Sequence, residues 1–139
     1  MNKIKLFLDD IRVPSDCTGY MPMRIGDKAI VYHSTDWIIV RDHYQFVNWI
    51  TKNGLPSFIS FDHDLSNEHY SPLMYTSEDQ YQDAIKGTAP TGYDSAKWLI
   101  KYCIENKLAL PEWVVHSMNP VGVERITREL TNFQRYATK

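Results

Sequence analysis

The chain has little of what would tie it to several common protein classes. It contains two cysteines, Cys17 and Cys103, far apart and in no Cys-x-x-Cys or Cys/His spacing. That argues against a disulfide framework and a structural zinc site, and it reads as free thiols in a reducing compartment. No apolar run approaches the roughly 20 residues that a spanning helix needs. At the amino terminus Lys3 and Lys5 flank a few apolar residues, but Asp9-Asp10 interrupts the run before a signal-peptide core forms. Nothing there directs export, so the expected location is cytoplasmic, with no membrane partner. Excess positive charge is also absent. Lys and Arg number 15 against 17 Asp and Glu, for a formal charge of −2, which argues against duplex nucleic acid as a partner, since that binding draws its strength from neutralised phosphates. One local basic patch suffices for a small phosphorylated ligand. Internal repeats, linkers and low-complexity tracts are missing too.

What is present is an ordinary globular composition, 139 residues with 43% hydrophobic and 23% charged, the size of one domain over residues 1–139. Ile4, Leu6 and Leu8 alternate with Lys5 and Phe7 and end abruptly at Asp9-Asp10, which predicts a buried strand feeding a loop. Trp37-Ile38-Ile39-Val40 predicts a second strand. Asp42 with Gln45 predicts a capping box, followed by a helix that buries Phe46, Val47 and Ile50 and stops at Asn53-Gly54. Ser57-Phe58-Ile59-Ser60-Phe61 predicts a third strand, again ending on acids at Asp62-His63-Asp64. Thr91 with Asp94 predicts a second capping box, before a helix with Ala96, Leu99, Ile100, Cys103 and Ile104 on one face. Trp113-Val114-Val115-His116 predicts a fourth strand. Asn119-Pro120 then places an N-cap before proline at the start of a helix that buries Val123, Ile126, Leu130 and Phe133.

Strands alternating with helices predict an α/β three-layer sandwich around a mostly parallel sheet of four or five strands, with ligands bound outside the carboxyl ends of the strands. Residues 13–36 and 66–90 fit no regular element and are expected to be long insertions, lids or partly ordered loops. Ala29-Ile30-Val31-Tyr32 could add a short strand in the first of them.

Asp9 and Asp10 after strand one and Asp62 and Asp64 after strand three converge if those strands are neighbours. Carboxylates that close call for a cation, and hard oxygen ligands suit Mg2+ or Mn2+. The alternative is that each aspartate merely caps a turn. His116 closes strand four just before a helix amino terminus, where backbone N–H groups and the helix dipole favour an anion. It is expected to act on a phosphate there as general acid or base, or to be a strand-end histidine bonded to backbone. Ser117 in the same turn could be a nucleophile, a cap or a phosphate contact, and with Asn119 it is expected as a phosphate contact. So is Arg12 beside the acidic pair, whereas Arg125 and Arg128 are read as solvated charge. His63 stands between two acids and is read equally as a ligand contact and as structural. Tyr70, Tyr75 and Tyr81 could stack a nucleobase or anchor a loop.

The strings Leu6-Phe7-Leu8-Asp9-Asp10-Ile11-Arg12-Val13-Pro14, Ile59-Ser60-Phe61-Asp62-His63-Asp64-Leu65, Thr91-Gly92-Tyr93-Asp94 and Val115-His116-Ser117-Met118-Asn119-Pro120-Val121-Gly122 together resemble the cyclic-phosphate-processing receiver domain family. The resemblance implies a receiver-type, Rossmann-like fold acting on cyclic phosphates of nucleotides or RNA ends. It also implies that Asp9, Asp10 and Asp62 match the magnesium-binding acids of ordinary receivers, that Ser117 matches the hydroxyl residue after strand four, and that Thr91 and Gly92 belong to the substrate side. Departures from ordinary receivers are the lack of a lysine-bearing fifth strand after the last helix, the lack of a clear helix between strands one and two, and His116 before the hydroxyl residue.

The function expected from this reading is a metal-dependent phosphoesterase opening a cyclic phosphate, with His116, Asp62 and Asp10 at the chemistry. The alternatives are a phosphoacceptor receiver with Asp62 as acceptor, a binding module that holds a cyclic nucleotide without cleaving it, and a Toprim-like nuclease. The last normally has glutamate where Asp9-Asp10 stands.

Overall fold

The computed structural model describes residues 3–65 and 90–137. Four short strands, β1 Lys5–Leu8, β2 Trp37–Val40, β3 Phe58–Phe61 and β4 Glu112–Val115, form a sheet in the order β2-β1-β3-β4, and every pairing is parallel. Among the described residues the helices are α1 Met21–Ile25, α2 His43–Asn53, α3 Gly92–Asn106 and α4 Pro120–Ala137.

The strand order dictates which face each connection covers. From β1 the chain moves to one side to make β2, then crosses back over β1 to make β3 and continues to β4. Right-handed crossovers therefore put the first connection on one face and the later ones on the other. The two cores follow that division. Leu6, Leu8, Val40, Ile59, Phe61 and Val115 meet Phe46 and Ile50 of α2, Ala96, Leu99 and Cys103 of α3, and Ile126 and Leu130 of α4. The alternate residues Phe7, Trp37, Phe58 and Val114 meet Cys17, Met21, Ala29 and Tyr32 from the first connection.

Residues 13–36 thus form the third layer of the sandwich and not a lid. They do so as two 3-10 segments, Pro14–Cys17 and Gly26–His33, flanking the single-turn α1. The strand considered at Ala29 to Tyr32 is absent. Ala29 and Tyr32, three residues apart, are both buried while Ile30 is 73% exposed, a period-three pattern that strand alternation would not give.

The predicted caps are in place. Asp42 Oδ1 accepts from the Gln45 N–H at 2.8 Å, and Gln45 Oε1 accepts from the Arg41 N–H, one residue before the cap. The α2 helix stops at Gly54, whose φ of 83° only glycine adopts readily. Thr91 and Asp94 form a reciprocal capping box on α3, and Asn119 Oδ1 accepts from the Gly122 N–H at 3.1 Å at the start of α4. Ile104, expected on the buried stripe of α3, is 59% exposed, because it falls outside the face on which Ala96, Leu99 and Cys103 meet the sheet and the neighbouring helices.

No helix among the described residues is long and apolar enough to cross a membrane. Cys17 and Cys103 are free and buried, and burial pushes both thiols up to about 11. Little thiolate exists at neutral pH, so neither should react appreciably with a disulfide reagent in the folded protein. Both should label promptly once denaturant is added. Rapid labelling of either in buffer would contradict this packing.

Candidate metal and phosphate site

The site is a product of strand alternation. Phe7 and Val114 point into the face covered by residues 14–33, and Ser60 joins them through its hydrogen bond to Tyr32. Two residues further along β1, β3 and β4, the same period carries Asp9, Asp62 and His116 to that side. The sheet ladder runs on past the strand ends to hold their backbones. Asp9 N–H donates to Val40 O at 3.1 Å, Asp62 N–H to Leu8 O at 2.9 Å and His116 N–H to Phe61 O at 2.9 Å. The strands β1 and β3 border the point where the winding direction reverses, the crevice in which open α/β sheets bind ligands. One carboxylate oxygen each from Asp9 and Asp62 and one ring nitrogen of His116 lie within 4.8 Å of one another.

The two carboxylates are in opposite electrostatic situations. Asp9 Oδ1 accepts from the N–H groups of Ile11 at 2.9 Å and Arg12 at 2.7 Å, while Oδ2 accepts from His116 Nε2 at 2.9 Å and Arg12 Nη1 at 3.4 Å. Burial works to raise its pKa, but the bond from His116 and those from the backbone carry it down to about 2. Among the described residues the Asp62 carboxylate has one hydrogen-bond partner, the His63 N–H on Oδ1 at 2.8 Å. Its Oδ2 is buried with no hydrogen-bond partner among the described residues. Burial, then the negative charge of Asp9, push it up to about 8.

An unpartnered buried carboxylate oxygen costs on the order of 1–3 kcal/mol or more. A hard divalent cation would satisfy it and offset the repulsion from Asp9. Asp62 with Asp9 at its side fits such an ion. Asp10, expected as a further ligand, is half-buried just after β1 and is not in that converging group.

His116 is placed differently from the expected proton donor. It is 0% exposed, its ring stacks on Phe7 with centroids 4.4 Å apart and planes 7° apart, and Nδ1 lies 2.6 Å from Ser60 Oγ. Both nitrogens are therefore engaged inside the protein, and no face of the ring meets solvent. Burial lowers its pKa despite the bond to Asp9. Its visible role is to hold Asp9.

Asp64, expected with the metal ligands, falls outside the converging group. Its Oδ1 bonds His63 Nδ1 at 2.9 Å, and both oxygens lie 3.4 Å from Asn119 Nδ2. The chain has left β3 by then, so the Asp-x-Asp spacing no longer delivers a common face. His63 lies against the start of α4, where a Cβ on Gly122 would come within 2.4 Å of its ring.

Gly92 and Thr91 seat α3. The Gly92 N–H donates to His63 O at 2.8 Å, and a Cβ there would fall 1.7 Å from the Asp62 carbonyl oxygen. Ser117 is 1% exposed and accepts from the Asn119 N–H at 3.1 Å. Ser117 and Asn119 thus serve the turn into α4, while Arg12 stays partly exposed beside Asp9. Arg125 lies over the Tyr93 ring at 4.0 Å and Arg128 pairs with Glu124 at 3.6 Å. Tyr70, Tyr75 and Tyr81 lie outside the described residues.

Several contributors had escaped the sequence reading. Tyr32 OH lies 2.7 Å from Ser60 Oγ, Tyr20 OH donates to His116 O at 2.6 Å, Arg24 Nη1 to Val115 O at 3.4 Å, and Arg41 Nη1 to the carbonyls of Asp9 and Arg12 at 3.2 and 2.7 Å. Only Ser60 carried a signal, as the polar residue inside the apolar run Phe58-Ile59-Ser60-Phe61.

A parallel sheet covered on both faces, with acids at its reversal point, defines a receiver-like α/β protein. A family model described as the cyclic-phosphate processing receiver domain matches residues 4–132, and the chain belongs to that family. No curated protein and no solved structure matches it.

Proposed function

We propose that this protein is a metal-dependent phosphoesterase that opens the cyclic phosphate of a small nucleotide or an RNA end, working with Mg2+ or Mn2+. The observation that carries the reading is the buried Asp62 Oδ2, which has no hydrogen-bond partner among the described residues, beside the ionised Asp9. Such a pair is costly in the chain alone and suited to holding a cation against phosphate oxygens. Family membership supports cyclic phosphate as the ligand class.

Asp62 and Asp10 would hold the ion with Asp9, which His116 and the Ile11 and Arg12 N–H groups keep ionised. A bound divalent ion supplies positive charge to a phosphoryl oxygen and lowers the pKa of water. Arg12, at the rim, would pair with the phosphate. The overall change adds one water: a new P–O bond forms from water, a ring P–O bond breaks, and the freed alcohol oxygen takes the proton.

The test is mass spectrometry of 2′,3′- and 3′,5′-cyclic nucleotides and of RNA carrying a terminal cyclic phosphate, each incubated with protein and Mg2+ or Mn2+. The expected result is a product heavier by one water, with Asp62→Asn slower by about 10²-fold or more. Tight binding of an intact ligand under both metals would make the protein a binding module instead.

A further inference from the structure

The layer formed by residues 14–33 reaches the carboxylates through a buried chain of hydrogen bonds. Tyr32 OH is 2.7 Å from Ser60 Oγ, Ser60 Oγ is 2.6 Å from His116 Nδ1, and His116 Nε2 is 2.9 Å from Asp9 Oδ2. Tyr32 is 1% exposed, and Ser60, His116 and Asp9 are 0% exposed, so water does not interrupt it.

The proton positions follow from counting donors. Asp9 already receives two backbone N–H groups and a guanidinium, so it is a carboxylate that only accepts, and the ring proton must sit on His116 Nε2. In a neutral ring, the form that complete burial favours, Nδ1 keeps a lone pair, and it takes the one hydrogen of Ser60. Ser60 Oγ is then left to accept from Tyr32. The chain runs one way: Tyr32 to Ser60 to His116 to Asp9.

The same layer grips the end of β4 twice more. Tyr20 OH donates to His116 O at 2.6 Å and Arg24 Nη1 to Val115 O at 3.4 Å. Phe7 fixes the remaining freedom of the ring by stacking on it.

We propose that Tyr32 and Ser60 are positioning residues for the carboxylate pair: they hold His116 with its proton on Nε2, aimed at Asp9, and make residues 14–33 a buttress of the site. The inference rests on reading Asp9 and Asp62 as the pair that holds a cation. Partners that orient a metal-binding group from behind are worth about 10- to 100-fold in metal affinity.

Two measurements on the full chain test it. Long-range 1H–15N spectra of histidine-labelled protein should show His116 with a protonated Nε2 and a hydrogen-bonded, unprotonated Nδ1. Ser60→Ala should shift Nδ1 toward the value of a free nitrogen. Mn2+ titration should then show about 10- to 100-fold weaker binding in Ser60→Ala, and a smaller loss in Tyr32→Phe, which keeps the Ser60 donor. Tyr32→Phe removes a single oxygen and supplies the answer if Ser60→Ala does not fold.

A proton on Nδ1 in the wild type would overturn the proposal, as would wild-type Mn2+ affinity in folded variants. If the wild type binds no Mn2+, the cation reading falls by itself. The spectra still decide whether the relay exists, with a moved Asp9 carboxyl 13C shift in Ser60→Ala supporting it and an unmoved one overturning it.

Discussion

Replacing Gly92 by alanine is expected to lower the melting temperature by about 10 °C or more, or to prevent folding. The new Cβ would stand 1.7 Å from the Asp62 carbonyl oxygen, 2.8 Å from its carbon and 3.1 Å from the His63 Cα. All three are backbone atoms at the exit of β3, so no side-chain rotation relieves the contact. Relief requires moving the first turn of α3 away from the sheet, which breaks the 2.8 Å bond from the Gly92 N–H to His63 O. Overpacking of this kind costs on the order of 3 kcal/mol or more. Thermal unfolding monitored by circular dichroism checks it, and a variant melting within about 2 °C of wild type would show that α3 does not sit this close.

Asp62→Asn is expected to act in opposite directions with and without metal. In the metal-free protein the folded-state pKa of Asp62 is raised to about 8 from 3.8. The stability from its neutral form is therefore fully present below about pH 4 and is lost as pH rises toward 8. Above that, wild type keeps a buried charge beside Asp9, and the neutral amide removes a cost on the order of 2 kcal/mol. Metal-free Asp62→Asn should therefore melt higher than wild type at pH 8, with a flatter pH dependence between 4 and 8. Asp9 behaves oppositely. Its depressed pKa, about 2, contributes stability above about pH 4 that is lost as pH falls through 2. Adding Mg2+ or Mn2+ at 100 times its Kd should raise wild type by about 2.7 kcal/mol and leave the variant unmoved, reversing their order. Melting curves at pH 5 and 8, with chelator and with metal, check this. A metal-free variant less stable than wild type at pH 8 would mean that the charge is already compensated within the protein.

The parts of this structure that were legible in the sequence are those set by local chemistry. Apolar alternation ending on acids marked β1 and β3, and the caps at Asp42, Thr91 and Asn119 marked three helix starts within a residue. The layer over the second face was illegible for a physical reason. Its buried residues Cys17, Met21, Ala29 and Tyr32 follow no single period, because the backbone passes through short turns.

The site divides the same way. That Asp9 and Asp62 would converge followed from where their strands end. That Asp64 would turn to His63 and Asn119 did not, since an Asp-x-Asp string looks alike whether or not the strand continues. His116 was found by its place at the end of β4. Its role was not, because it depends on Ser60 and Asp9, 56 and 107 residues away.

The most direct test of the central claim, that Asp62 and the acids of β1 form one cation site, is calorimetric titration of the metal-free protein with Mn2+. The account predicts one ion per chain in the wild type and no measurable binding in Asp62→Asn at the same concentrations. Absence of binding in the wild type, or equal affinity in the two proteins, would contradict it.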